Sequence, residues 1–246
     1  EAMQGVRLRA QPGFGAQLWA LTASYVAQQR RVSGGKAAVA EWVAMVAVAA
    51  FVGGLQRAQV PDSYGKLPTL YALTVTLFSL FVSLSSVRTF AFDTTSFWRE
   101  SAAGVSPVAF YASRSLADLP PLCLRALVFG MVFWSTAALN IELGLLQLLL
   151  LATMLCASGI GYLMAILAPP SIAVTATGVL ICCACGFFGG VVPTVAEAGP
   201  VMRAALTLSY GRWSLQCVAA ADFSAIPSEL YALVGEALIE GAGYPP

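Results

Sequence analysis

The 246-residue chain contains no histidine. That absence removes Ser-His-Asp triads, histidine zinc sites and histidine proton relays at once. Charge is nearly as scarce. Only 10% of residues are Asp, Glu, Lys or Arg, where an average soluble domain carries about 25%. A soluble chain of this length needs far more polar surface. The net charge of +1 provides no basic face, so no nucleic-acid partner is expected. Asparagine occurs once, at Asn140, and Ile141-Glu142 follows it, so no glycosylation sequon exists. Both Gly-Lys pairs, Gly35-Lys36 and Gly65-Lys66, lack the earlier glycine and the following Ser or Thr of a phosphate-cradling loop. HExxH, GxSxG and EF-hand patterns are missing too. Among the six cysteines, Cys182, Cys183 and Cys185 form the only cluster. No charged co-ligand stands near it, so these thiols are expected to pack as small hydrophobes, and no metal is expected.

What remains is apolar. Hydrophobic residues make up 59% of the chain, and the mean hydropathy is +0.78. These values exclude disorder and point to lipid as the main solvent. The few charges then act as punctuation. From Leu143 to Ala196 there is none, a run too long for one span of about 20 residues. Pro169-Pro170 divides it into helices over about 143–168 and 171–192. A third uncharged run covers 67–87. Another candidate, 37–56, carries only Glu41, close enough to one end to reach the headgroups. The fifth, 107–139, holds Arg114, Asp118 and Arg125, which lie within about 40° of one another around a helix. Pro120-Pro121 is expected to kink it.

The architecture expected is an all-α, polytopic transmembrane domain with five spans. Residues 1–36 precede it, with a modest amphipathic helix at 14–31 that turns Leu18, Leu21, Tyr25 and Val26 to one side and Gln17, Gln28, Gln29 and Arg30 elsewhere. A plain linker is the alternative there. Lys and Arg are in excess before the first span and after the second, which places the N-terminus in the cytoplasm. Residues 193–246 are semi-apolar, interrupted by Pro193, Pro200 and Pro227, and able to dip into the outer leaflet where other protein covers the backbone. Gly186 and Gly190, with Gly189, offer a close-approach surface, or arise by chance in a glycine-rich chain.

Two features invite a functional reading. Ionisable residues within a span are functional candidates by default. Arg114, Asp118 and Arg125 are either a coupling cluster or an interfacial pair with a snorkelling arginine. The loop at 88–106 sets opposed charges beside aromatics, including Phe97, Trp98, Arg99 and Glu100. Such a segment suits docking to another polypeptide. It equally suits anchoring at the membrane interface.

At this loop the sequence resembles the membrane domain of ABC transporters of subfamily G, the white/pleiotropic-drug-resistance group. The resembling strings are FWRESAAG (Phe97 to Gly104), LADLPP (Leu116 to Pro121) and LSYGRWSLQCVAAADF (Leu208 to Phe223). The WRE form and the closing Gly243-Tyr244 look most like plant-type half-size members. The resemblance implies six spans, of which this chain holds five, and a re-entrant segment before the sixth. It therefore implies a longer polypeptide, and the abrupt start at Glu1 without a signal peptide agrees with that expectation. It also implies a nucleotide-binding domain in the same polypeptide, holding ATP and Mg, with no cofactor bound by these residues and no catalytic site among them. Trp98, Arg99 and Glu100 would meet that domain. A second half-transporter would complete a dimer in the plasma membrane. A substrate cavity would be lined by Leu77, Phe78 and Phe81 on the second span and Val179, Cys182, Cys183 and Gly186 on the fifth. Val191 and Val192 would form an apolar plug above it. Leu77 and Phe78 stand where some members carry polar residues, which implies a hydrophobic or lipid-like substrate. Paired external cysteines are not evident, since only Cys217 lies in that region.

Three rivals stay open by degrees. A passive channel would need a polar lining, and the spans hold few acids. A lipid-handling enzyme would need a catalytic cluster at one depth. A non-transporting membrane scaffold is compatible with the residues.

Overall fold

The computed structural model describes residues 13–32, 36–59, 67–91, 94–137, 139–190 and 199–224. Among these residues every regular element is helical: α1 (Phe14–Val32), α2 (Lys36–Gln59), α3 (Leu67–Ala91), α4 (Thr94–Ala102), α5 (Pro107–Ala137), α6 (Leu143–Leu167), α7 (Pro170–Ile181), α8 (Pro200–Leu208) and α9 (Tyr210–Ser224). Five stretches are long and apolar enough to cross a membrane: Ala38–Ala58, Leu67–Phe90, Pro107–Ala137, Leu143–Leu167 and Pro170–Gly189. The fold class is the one the charge gaps imply. The spans alternate in direction. One end of the bundle carries α1 and α4, and the other carries α8 and α9.

α3 is the most enclosed span and α2 the least. Tyr71, Phe78, Val82 and Val87 of α3 are buried. Against them α6 sets small residues four apart, Ala157, Gly161 and Ala165, all buried. A Cβ at position 161 would stand 2.6 Å from the Ser83 carbonyl oxygen. Only glycine lets the two backbones come so near, which is how helices gain dispersion contact where lipid gives no hydrophobic drive. Ser83 and Ser86 on the facing helix return their hydroxyls to the carbonyls of Ser79 and Val82, so these polar groups are satisfied within α3.

α5 continues as one helix through Pro120-Pro121. Each proline removes a donor from the helical ladder, a loss that spans tolerate when neighbours pack around them. α7 ends otherwise than expected. Cys182–Gly186 form a π turn, Phe187–Gly189 a 3-10 turn, and Gly190 closes the segment at φ +82°. Gly186 and Gly190 therefore do not share a regular helical face. Among the described residues, no other element approaches within 4 Å of where a Cβ at Gly186 or Gly189 would sit. The close approach lies on α6 instead.

α1 packs along the first half of α5. Leu18, Leu21, Tyr25 and Val26 are half-buried as a set, but so are Gln17 and Gln29, which the amphipathic reading had turned away. The reason is a backbone donor on the other side: Gln17 Oε1 accepts from the Ser106 amide at 3.1 Å.

Candidate functional site

The segment 94–107 is built by its own local chemistry. The Val105 amide donates to the Glu100 carbonyl at 3.1 Å and the Gly104 amide to the Ser101 carbonyl at 3.0 Å. This double closure is a Schellman C-cap, and it needs a left-handed residue at Gly104, whose φ is +91°. Ser106 and Pro107 then open α5, with the Phe110 amide donating to the Ser106 carbonyl at 3.0 Å. Among the described residues of α4, Phe97 is the one packed on the apolar core. Phe97 packs edge-on against Phe110, ring centroids 5.3 Å apart. Trp98 is 70% exposed, and Arg99 is exposed beside it. Glu100 is half-buried, yet its Oε2 is enclosed without a hydrogen-bond partner among the described residues. With Ser96, Arg99 and Ala103 it lines a polar cleft of about 330 Å³. The opposite side of α4 borders an aromatic cleft of about 470 Å³, lined by Phe90, Phe97, Trp98, Phe110, Tyr111 and Ile166 among others.

Behind α4 the intramembrane charges find separate partners. Asp118 is 4% exposed and accepts from Thr89 Oγ1 at 2.9 Å and Tyr162 Oη at 2.8 Å, joining α5 to α3 and α6. Arg114 is buried with its guanidinium 4.0 Å from the Tyr25 ring centroid on α1 and 5.0 Å from that of Phe110. This is a cation-π stack, which a weakly hydrated planar cation makes well. Arg125 pairs with Glu41 Oε1 at 2.8 Å, while Arg88 takes Oε2 of the same carboxylate at 3.0 Å. Glu41 therefore does not simply snorkel to the headgroups. It bridges α2 to α3 and α5. One predicted cluster becomes three neighbouring sets of contacts that together touch α1, α2, α3, α5 and α6.

The far end holds a second buried carboxylate, which the sequence reading passed over as an ordinary charge. Asp222 on α9 is 4% exposed. It accepts from Tyr71 Oη at 2.5 Å and from the amides of Asn140 and Ile141 at 2.7 and 3.1 Å. Nearby, Ser209 Oγ donates to the Ala184 carbonyl in the π turn, at 2.5 Å, and Cys185 Sγ donates to Tyr210 Oη at 3.1 Å. Burial pushes the Tyr210 phenol up, and the adjoining Cys185 adds to that. α9 is thus seated on α3, α6 and the end of α7, whereas α8 rests on α9 and the 3-10 turn through Leu206 and is exposed along most of its length.

The residues expected to line a cavity fall into different places. Val179, Cys182 and Gly186 are exposed along one side of α7, with Val179 60% exposed, and Cys183 is half-buried. Leu77 and Phe81 are half-buried and packed on the core. Phe81 faces Glu41, Trp42, Met45 and Arg125. Phe78 is fully buried, its ring 4.9 Å from that of Phe129, so it presents no surface on this face of the chain. Val191 and Val192 lie outside the described residues.

Apolar spans, an exposed short helix at one end and a seated helix at the other define a multi-pass integral membrane protein. The sequence matches the family model of ABC-2 type transporters over residues 2–226, and the chain belongs to that family. It is similar to the putative white-brown complex homolog protein 30 of Arabidopsis thaliana, 28% identical over 103 residues. It is also similar to ABC transporter G family member 28 of the same plant, 28% identical over 106 residues. These matches cover 42% and 41% of this chain but only 10% and 9% of the two relatives, so the chain corresponds to a small part of their length.

Proposed function

We propose that this chain is the membrane-spanning domain of an ATP-driven exporter of subfamily G, forming half of a dimeric pathway for a hydrophobic or lipid-like substrate. The observation that carries the reading is the half-buried Glu100, whose enclosed carboxylate oxygen lacks a partner among the described residues, on a helix that is otherwise open to its surroundings. A buried acceptor left unpaired costs about 1–3 kcal/mol. A basic or N–H group from a nucleotide-binding domain docked over Ser96, Arg99 and Ala103 would remove that cost. ATP and Mg bind in that domain, and α4 receives its movement. In this reading the α4 end, where Lys and Arg are in excess, faces the cytoplasm, and the membrane is the plasma membrane. The exposed side of α7, with Val179, Cys182 and Gly186, meets the second half-transporter and borders the substrate path together with Leu77 and Phe81. Substrate binds one state of the dimer, and the nucleotide shifts the balance between states.

The test uses the full-length transporter in proteoliposomes. Glu100→Ala is expected to leave basal ATP hydrolysis within about twofold while lowering substrate transport on the order of tenfold, the effect of about 1.4 kcal/mol. Transport that stays coupled in this variant removes the role assigned to α4.

A further inference from the structure

We infer that the aromatic cleft between α4 and the ends of α3, α5 and α6 is a binding site for one acyl chain of a membrane glycerophospholipid. Its floor is apolar and aromatic. Phe90 stacks on Tyr111 with centroids 5.2 Å apart, and Phe97 meets Phe110 at 5.3 Å. Its volume of about 470 Å³ lies in the range of small-molecule sites, about 300–1,000 Å³. Its rim differs in kind from its floor. Trp98 and Tyr111 are both exposed there, and neither the indole N–H nor the phenol has a hydrogen-bond partner among the described residues. Ile166, 62% exposed on α6, forms the third side.

The position selects the occupant. The cleft sits where three spans end, at the depth where a bilayer changes from hydrocarbon to ester and headgroup. Tryptophan and tyrosine concentrate at that depth because one end of each is apolar and the other wet. An acyl chain laid on Phe90 and Phe110 would bring its ester oxygens to the two free donors at the rim. Those donors do not need a charged headgroup, so the site reads the glycerol ester region rather than lipid charge. A soluble ligand would gain little from a mouth edged by the exposed, apolar Ile166 of a span. The inference rests on the membrane setting of the chain and stands independently of the part assigned to Glu100.

The experiment places the full-length transporter in phosphatidylcholine vesicles containing a small fraction of phosphatidylcholine with a diazirine midway along one acyl chain, where it would lie over the cleft floor. After irradiation, labelled residues are mapped by peptide mass spectrometry. Labelling is expected to concentrate on the segments bearing Phe97, Trp98 and Tyr111, above the level at the lipid-facing Leu148 and Leu155 of α6. Ile166→Trp narrows the cleft from an exposed position. It is expected to lower the cleft labelling about fivefold, a population change of roughly 1 kcal/mol, with Leu148 and Leu155 labelled as before. Equal labelling of the cleft and of α6 would mean ordinary boundary lipid and would overturn the site. Loss of the label to an added sterol would overturn the occupant. So would an unlabelled cleft in which Trp98→Cys forms a cross-link to the nucleotide-binding domain.

Discussion

The two ends of the bundle each bury an aspartate, and they hold it differently. At the α9 end, two of the three donors to Asp222 are backbone amides, those of Asn140 and Ile141. Amides in a tight loop cannot turn away, so the carboxylate fastens α9, α3 and the α5–α6 loop in one arrangement. At the α4 end, the donors to Asp118 are side chains, the hydroxyls of Thr89 and Tyr162 and the amide of Gln29. Hydroxyls rotate and exchange partners at little cost. Around them stand a cation-π stack and an ion pair whose arginine is exposed. The same chemical group thus clamps one end and leaves the other adjustable. An element that must move is drawn from the less firmly held part of a structure.

The contrast can be broken at its strong end first. Asp222→Ala takes away the acceptor of the Asn140 and Ile141 amides and of the Tyr71 hydroxyl, at about 1–3 kcal/mol for a buried amide left unpaired. The expected outcome is the largest loss in the set, read as a marked fall in thermal midpoint in detergent and poor recovery of folded protein. Unchanged stability would mean that α9 is not clamped. Asp118→Asn keeps one carbonyl oxygen as acceptor, and about 1 kcal/mol of destabilisation is expected, the value of one ordinary hydrogen bond. The same melting measurement checks it, and a loss as large as that of Asp222→Ala would erase the distinction between the ends. Arg88→Ala should change least. Its side chain is 55% exposed, and exposed ion pairs are worth about 0–1 kcal/mol. Its midpoint is expected to stay close to that of the parent protein and to be insensitive to added salt.

The sequence made the spans legible because lipid imposes a coarse rule: a charge must lie near an end or find a partner. Lys66 and Arg88 marked boundaries for that reason, and Pro169-Pro170 marked one because proline ends a helix. The α4 motif was legible as well, since Gly104 and Ser106-Pro107 dictate a helix stop and a helix start by local geometry alone. What faces what was harder to read. α3 is apolar nearly all round, and such a helix has no polar side to tell inward from outward. The resemblance set Phe78 beside a cavity, and within this chain its contact with Phe129 encloses it. The glycine pair near the end of α7 drew the eye, but a π turn redirects that segment. The working stripe was Ala157, Gly161 and Ala165, a spacing visible in the sequence but without a partner until Ser83 and Ser86 stood opposite. Asp222 was hidden for a similar reason, because its partners lie 81 to 151 positions away.

The Schellman turn at Gly104 has a mechanical consequence. Ala103 to Ser106 form a joint with its own hydrogen bonds, and Gln17 grips it from α1. Such a joint transmits torque instead of absorbing it. α5 begins at once beyond it and runs for 31 residues, a rod of about 46 Å at 1.5 Å per residue. Turning that rod by about 5° about its near end carries its far end some 4 Å sideways, by the same helical length. The far end adjoins the loop that Asp222 holds. A small rocking of α4 therefore arrives as a lateral displacement under α9, with the bundle acting as a lever whose short arm is nine residues long.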